Sequence, residues 1–183
     1  MNSNARHLAM LAAGLVLCAC GMAGAPEVAM PTHRPPPEVF EARVDVGGRG
    51  AQIWCYGQGS PTVVYESWLG APGENVLPLI IRIGGTMRVC VYDRANVPGG
   101  RSDPAPAPRS SNDIVGDLHA LLAGAGITPP YVLVGDSFGG MNAVLFADRY
   151  PDEVIALALI EPLASGALAS MLSAMPEARP NET

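Results

Sequence analysis

Six short runs of apolar, β-branched and aromatic residues are spaced along the chain from residue 39 onward. Runs of this length, bounded by Gly, Pro, Asn and Asp, are typical of β-strands. They lie at residues 39–46, 51–56, 62–65, 87–92, 131–134 and 154–160. The run at 131–134 is wholly apolar, which indicates a strand that is covered on both faces of a parallel sheet.

Two longer segments repeat their apolar residues with the period of an α-helix. Residues 113–125 carry one apolar stripe, with Ser111 or Asn112 as the expected N-cap and Gly126 as the stop. Residues 140–149 form the second predicted helix. We therefore expect the later strands to alternate with helices that cover the sheet.

This alternation predicts an α/β domain with a mostly parallel sheet. In such folds the loops that surround a site lie at the carboxyl ends of the strands. The Pro- and Gly-rich stretch 98–108 is a long loop of this kind, so we expect it to border a site.

The first 30 residues look like an export signal rather than part of the fold. Arg6 precedes an apolar run at residues 8–19, which suits a signal core but is short for a membrane span. The run ends in Leu-Cys-Ala-Cys-Gly, which resembles a bacterial lipobox and would make lipidated Cys20 the mature first residue. The predicted product is exported and either membrane-anchored or free outside the cytosol.

Two alternatives remain for this segment: ordinary signal cleavage near residues 23–25, or an uncleaved anchor. Residues 20–37 are rich in proline and lack apolar periodicity, which predicts an extended tether. The domain organisation is thus a signal at residues 1–19, a tether at 20–37 and an α/β domain at 38–183.

The amino-acid composition argues against several classes of function. All 11 basic residues are Arg, which removes lysine Schiff-base chemistry, pyridoxal phosphate anchoring and the Walker phosphate loop. The net charge of −6 has the wrong sign for a nucleic-acid binder. We expect no cofactor and no metal.

Gly135-Asp136-Ser137-Phe138-Gly139 is the motif that carries chemistry. It directly follows a predicted strand and precedes a predicted helix, as a G-x-S-x-G nucleophile elbow requires. Ser137 is then the nucleophile, and the backbone N–H of Phe138 stabilises the oxyanion. The alternative is a Gly-Ser-Gly loop without chemistry.

Export also gives a role to Cys55 and Cys90, the two cysteines outside the signal region. Disulfides persist outside the reducing cytosol, so these two are candidates for one bond. A pair of buried free thiols is the alternative.

Several segments together resemble the first part of an α/β-hydrolase. They are Gly-Ser-Pro-Thr-Val-Val at 59–64, Tyr-Asp-Arg at 92–94, residues 113–122, the elbow at 135–140 and Tyr-Pro-Asp-Glu-Val at 150–154. The resemblance implies that the Cys55 strand lies beside the Cys90 strand, which supports the disulfide. It also implies a second oxyanion donor, which corresponds to Leu69. Relatives usually have Gly where this chain has Trp68.

The resemblance implies a Ser–acid–His triad, but no His follows Ser137 in this sequence. His119 is predicted on the solvated face of its helix and is not expected to act as base. Glu161, after the last predicted strand, is the candidate acid, and a solvated carboxylate with no catalytic part is the alternative. Asp136 points away from a triad, and Asp93 is expected to be structural.

The predicted function is a serine hydrolase of esterase type that acts on a small-molecule ester or acyl substrate. The missing His, with a predicted helix at 163–175 and a polar tail at 176–183, suggests a fold truncated after about the sixth strand. A second chain could supply further strands, and the 154–160 strand would leave an apolar edge. The alternative is an exported, non-catalytic lipoprotein or pseudoenzyme that binds a ligand.

Overall fold

The computed structural model of the protein describes residues 39–164 and 166. The strands are β1 (Val39–Asp45), β2 (Gly50–Tyr56), β3 (Thr62–Glu66), β4 (Val89–Tyr92), β5 (Tyr131–Asp136) and β6 (Val154–Ile160). The helices are α1 (Leu77–Gly84), α2 (Ser111–Gly124) and α3 (Phe138–Arg149), with short 3-10 turns at Gly73–Val76 and Pro151–Glu153. All six predicted strands are present, and their bounds shift by at most two residues.

The described strands form one sheet in the order β1-β2-β4-β3-β5-β6. β1, β2 and β4 pair antiparallel, whereas β4, β3, β5 and β6 run parallel. The predicted α/β architecture with a mostly parallel sheet is therefore confirmed. Parallel strands need crossover connections, and the helices between them supply these.

Side chains on successive strand residues point to opposite faces, so the sheet has a core on each side. One face packs against α2 and α3, with Leu118, Leu121 and Phe146 fully buried there. The other face packs against α1 through Ile80. Because both faces are covered, β3 and β4 are buried along their whole length, whereas β5 alternates between buried and half-buried residues.

The predicted pairing of the two cysteines is confirmed. Cys55 of β2 stands directly opposite Cys90 of β4, and their sulfurs are bonded at 2.06 Å. Both side chains are fully buried.

Three features of the helices differ from the sequence prediction. The N-cap of α2 is Ser110, not Ser111 or Asn112, because Ser110 and Asp113 exchange side-chain and backbone hydrogen bonds as a capping box. α3 begins at Phe138, directly after the elbow. α1 was not predicted, since eight residues that include Pro78 and three isoleucines carry little helical signal.

β6 ends the described sheet and is largely exposed. Ile155 is 61% exposed, and Leu157, Leu159 and Ile160 are also exposed. The predicted helix at 163–175 does not begin at Leu163 or Ala164, and its remainder lies outside the described residues apart from Gly166. Within residues 39–164, no helix has the length and apolar character needed to cross a bilayer.

Candidate active site

Ser137 occupies the sharp turn between β5 and α3. Its φ of 53° and ψ of −113° lie outside the ordinary regions of non-glycine backbone. Such strain persists only when the surroundings hold it, and it concentrates at functional sites. The turn projects a residue between the end of a central strand and the start of a helix, which is the context expected of a nucleophile elbow.

Glycine is required on both sides of this turn because the backbone passes very close to its neighbours. A Cβ at position 135 would lie 2.6 Å from the Cα of Gly140. A Cβ at position 139 would lie 2.1 Å from the carbonyl oxygen of Glu66 at the end of β3. The two motif glycines therefore allow α3 to start against β3 and β5.

Three backbone hydrogen bonds hold Ser137 in place. Its N–H donates to the carbonyl oxygen of Ile160 at 2.9 Å, and its carbonyl oxygen accepts from the N–H groups of Gly140 and Leu163, each at 3.0 Å. The elbow is thus fixed between its own helix and the segment that follows β6.

The two predicted oxyanion donors lie at one cleft. Leu69 follows β3 and is 55% exposed, whereas Phe138 is the buried first residue of α3. Both line a cleft of about 420 Å³. The other lining residues are Gly70, Arg94, Ala95, Asn96, Val97, Arg109, Ser111, Ile114 and Met141. The residues on either side of the predicted 98–108 loop, Val97 and Arg109, line the cleft, whereas the loop residues themselves are not among these lining residues.

A buried ion pair that the sequence did not predict lies beneath this cleft. Glu66 is fully buried and accepts hydrogen bonds from the Tyr92 hydroxyl at 2.6 Å and from Arg94 Nη1 at 3.1 Å. Burial raises the pKa of Glu66, while the Arg94 charge and the Tyr92 hydrogen bond oppose that rise. Two sequence features bear on this pair. Glu66 is an acidic residue at the end of an apolar strand, and the Tyr-Asp-Arg segment at 92–94 ends a second apolar run.

Asp93 has the structural role expected of it. Its carboxylate accepts from the N–H of Gly73 and from the N–H of Arg101, each at 2.6 Å. These two bonds tie the loop after β3 and the loop after β4 to the end of β4.

Two carboxylates close to Ser137 along the chain or in the fold, Asp136 and Glu161, differ in their surroundings. Asp136 accepts a hydrogen bond from the Tyr65 hydroxyl at 3.0 Å, and burial together with this bond raises the pKa of Tyr65 to about 12. Glu161 is exposed and directly follows β6, with a left-handed φ of 41°. Its neighbour Ile160 and nearby Leu163 both bond the backbone of Ser137. Glu161 is therefore close to the elbow in the fold.

His119 is the one histidine in the described part of the chain, and its side chain is 36% exposed, so the expectation of a solvated ring holds only in part. The ring stacks on Tyr150 at a centroid distance of 3.9 Å, and its Nε2 lies 3.0 Å from a carboxylate oxygen of Glu153. Residues from after α3 thus cover a helix face that the sequence pattern of α2 alone left open. The structure does not bring His119 to Ser137: its ring partners are Phe146 and Tyr150.

Comparison with known proteins gives a consistent result. A family model described as the alpha/beta hydrolase fold matches residues 66–181. The uncharacterized protein YqjL of Bacillus subtilis is 31% identical over 106 residues, which cover 58% of this chain and 41% of YqjL. RutD of Klebsiella pneumoniae, a proposed carbamate hydrolase, is 32% identical over 102 residues, which cover 56% of this chain and 38% of RutD.

A solved structure of an alpha/beta hydrolase from Novosphingobium aromaticivorans superposes with a TM-score of 0.57 and 26% identity. The superposition covers 69% of this chain and 45% of that one. The chain thus spans about two fifths of the length of the curated relatives it matches.

Proposed function

The chain belongs to the α/β-hydrolase fold family, and from that premise we propose that it carries the nucleophile of a serine acyl hydrolase. The observation that supports this most directly is the strained backbone of Ser137 at the turn between β5 and α3. Its hydroxyl would attack the carbonyl carbon of a small ester or related acyl substrate. A serine nucleophile with backbone oxyanion donors suits acyl transfer, whereas halide displacement in this fold calls for a carboxylate.

The remaining roles follow from the geometry of the cleft. The N–H groups of Phe138 and Leu69 would stabilise the oxyanion, and each such donor is worth about 3 kcal/mol in measured systems. Glu161 is our candidate for the acid, because its segment is hydrogen-bonded to the backbone of Ser137. The cleft lining is mainly apolar and would hold the acyl or alkyl group.

We propose that the general base is a histidine supplied from outside the described residues, either by a longer form of the protein or by a second polypeptide. His119 is engaged with Tyr150 and Glu153 and is not our candidate. The exposed apolar strand β6 is the surface against which such a segment would pair.

The signal and anchor belong to the same proposal. We propose that the protein is exported and lipidated on Cys20, with residues 20–37 as a tether to the membrane surface. These residues lie outside the described part of the chain. The disulfide between Cys55 and Cys90 is consistent with an oxidising compartment.

The test is covalent labelling of the purified 183-residue chain with a fluorophosphonate, with and without imidazole as an external base. We expect one adduct on Ser137 by mass spectrometry, formed faster with imidazole. Ser137→Ala should remain unlabelled, and Ser60→Ala, which removes an exposed serine far along the chain from the elbow, should label normally. A wild-type chain that stays unlabelled in imidazole would contradict the proposal and favour the non-catalytic binding module.

A further inference from the structure

One buried side chain contacts both segments of the proposed oxyanion site, which we call its arms: the loop that carries Leu69 and the first turn of α3. Arg94, at the end of β4, is 7% exposed and pairs with the fully buried Glu66. The same guanidinium reaches the loop after β3 and the start of α3. The five donors of a guanidinium form a fixed fork, so one arginine can bind several acceptors at set angles.

The first arm is the loop that carries Leu69. Arg94 Nη1 donates to the carbonyl oxygen of Ser67 at 2.7 Å, and Nη2 donates to the carbonyl oxygen of Trp68. The Trp68 carbonyl and the Leu69 N–H belong to one planar peptide group and point in opposite directions. Holding the Trp68 oxygen therefore fixes the direction of the Leu69 N–H.

The second arm is the first turn of α3. The guanidinium carbon of Arg94 lies 5.5 Å from the centre of the Phe138 ring, within the range of a cation–π contact. The space beside Gly139 is closed by the carbonyl oxygens of Glu66 and Ser67. Arg94 thus lies where the β3 loop and the α3 turn meet.

We infer that Arg94 is a positioning residue for the oxyanion donors, held in place by Glu66. This inference rests on the proposed function, since it assigns Arg94 to the reaction of Ser137. Arg94 itself does not touch the reacting atoms: it orients the Leu69 peptide group and seats it against the Phe138 turn. A small misplacement of such groups is expected to lower the rate by roughly 10²-fold.

The test uses two reagents that differ only in the atom that enters the oxyanion site: diethyl p-nitrophenyl phosphate and its P=S analogue. In either reaction a bond forms between Ser137 Oγ and phosphorus while the P–O bond to the aryl group breaks. p-Nitrophenolate leaves with the bonding electron pair, and added imidazole takes the serine proton. Sulfur is larger than oxygen and a weaker hydrogen-bond acceptor, so oriented donors favour the P=O reagent.

For each protein, the rate of Ser137 adduct formation with the P=O reagent is divided by the rate with the P=S reagent. The relative ratio is this value divided by the corresponding value for hydroxide in solution. Arg94→Gln should lower the P=O rate about 100-fold and bring the relative ratio towards one. Arg94→Lys keeps a positive charge for Glu66 but lacks the forked donors of the guanidinium, so its relative ratio should lie between those of the wild type and Arg94→Gln. Partial unfolding would lower both rates equally and leave the ratio unchanged.

Arg94→Gln leaves a buried carboxylate without its partner, which can prevent folding. The double variant Glu66→Gln/Arg94→Gln removes both charges and keeps an acceptor for Tyr92, and it should show the same loss of ratio. Arg49→Gln is the control, because Arg49 is half-buried and likewise pairs with a carboxylate, that of Asp117, away from the β3 loop.

The outcomes separate the two proposals. If the wild-type chain forms no adduct on Ser137 with either reagent, the proposed function fails. If the wild type reacts with a clear P=O preference that the folded double variant retains, Arg94 does not position the donors and only this inference is overturned. A collapse of the ratio in the double variant, with an unchanged ratio in Arg49→Gln, supports it.

Discussion

Two glycines in helices, Gly139 and Gly116, show how differently the same residue can be constrained. A Cβ at Gly139 would meet the backbone oxygens of Glu66 and Ser67 at 2.1 Å and 2.7 Å, so α3 would have to move away from the sheet. A Cβ at Gly116, within α2, would meet no atom within 4 Å. The first glycine is required by close packing, whereas the second only adds backbone freedom to a helix.

We therefore predict opposite effects from one substitution. Gly139→Ala should lower the free energy of unfolding by about 1–3 kcal/mol through overpacking and should abolish labelling of Ser137. Gly116→Ala should raise it by about 0.5–1 kcal/mol, since alanine is the better helix former. Urea titration followed by circular dichroism measures both. Equal effects of the two substitutions would contradict this account of the elbow.

Single residues were predictable from sequence where the signal is local. Ser137 and its flanking glycines form one continuous motif, and Cys55 and Cys90 were the two cysteines left outside the signal region. The pairing of Glu66 with Arg94 was not predicted, because its members are 28 residues apart and an acidic strand end and a Tyr-Asp-Arg segment do not by themselves indicate that they meet. Only the sheet order, with β4 beside β3, brings the two together.

The partners of His119 illustrate the same limit. The stripe of α2 correctly placed the ring opposite the core-facing leucines, but Tyr150 and Glu153 come from a segment more than 30 residues later in the chain. A helical pattern reports which residues face the sheet. It contains no information about what later segments place on the other side.

At the scale of elements, strands were predicted better than helix ends. Short apolar runs bounded by turn residues can be recognised despite small errors in their bounds, whereas the start of a helix depends on one side-chain hydrogen bond, here that of Ser110. α1 was not predicted because its eight residues span little more than two turns, too few for a helical period to be recognised.

The exposed apolar strand β6 leads us to predict self-association. Its outward side chains Ile155, Leu157 and Leu159 are 61%, 39% and 41% exposed and lie on alternate residues, so they share one face. An apolar strand at the edge of the described sheet is a template for pairing with another chain. We expect the purified 183-residue chain to self-associate as its concentration rises, as measured by sedimentation velocity.

A lysine on that face should suppress the association. Ile155→Lys should shift the protein towards monomer, whereas Val39→Lys should not, although Val39 is 52% exposed on β1 at the opposite edge of the sheet. A wild type that is monomeric at every concentration, or an equal effect of the two lysines, would show that β6 is not the associating surface.

At the scale of the whole molecule, the described domain and the segment before it each have features that an account of the protein must explain. The domain has a buried disulfide and, by proposal, a nucleophile beside a cleft. The first 38 residues contribute an apolar run, a lipobox-like sequence and a proline-rich stretch. We propose export for both, because disulfides persist in an oxidising compartment and the leader has the composition of a signal.

That hypothesis predicts lipid on one specific cysteine of two. Cys20 follows the proposed cleavage point, whereas Cys18 precedes it and would be removed with the signal. In cells that process bacterial lipoproteins, a radiolabelled fatty acid should enter the wild type and Cys18→Ser, and should not enter Cys20→Ser. Label that persists in Cys20→Ser, or that never enters the wild type, would overturn the anchor and leave ordinary signal cleavage or an uncleaved leader.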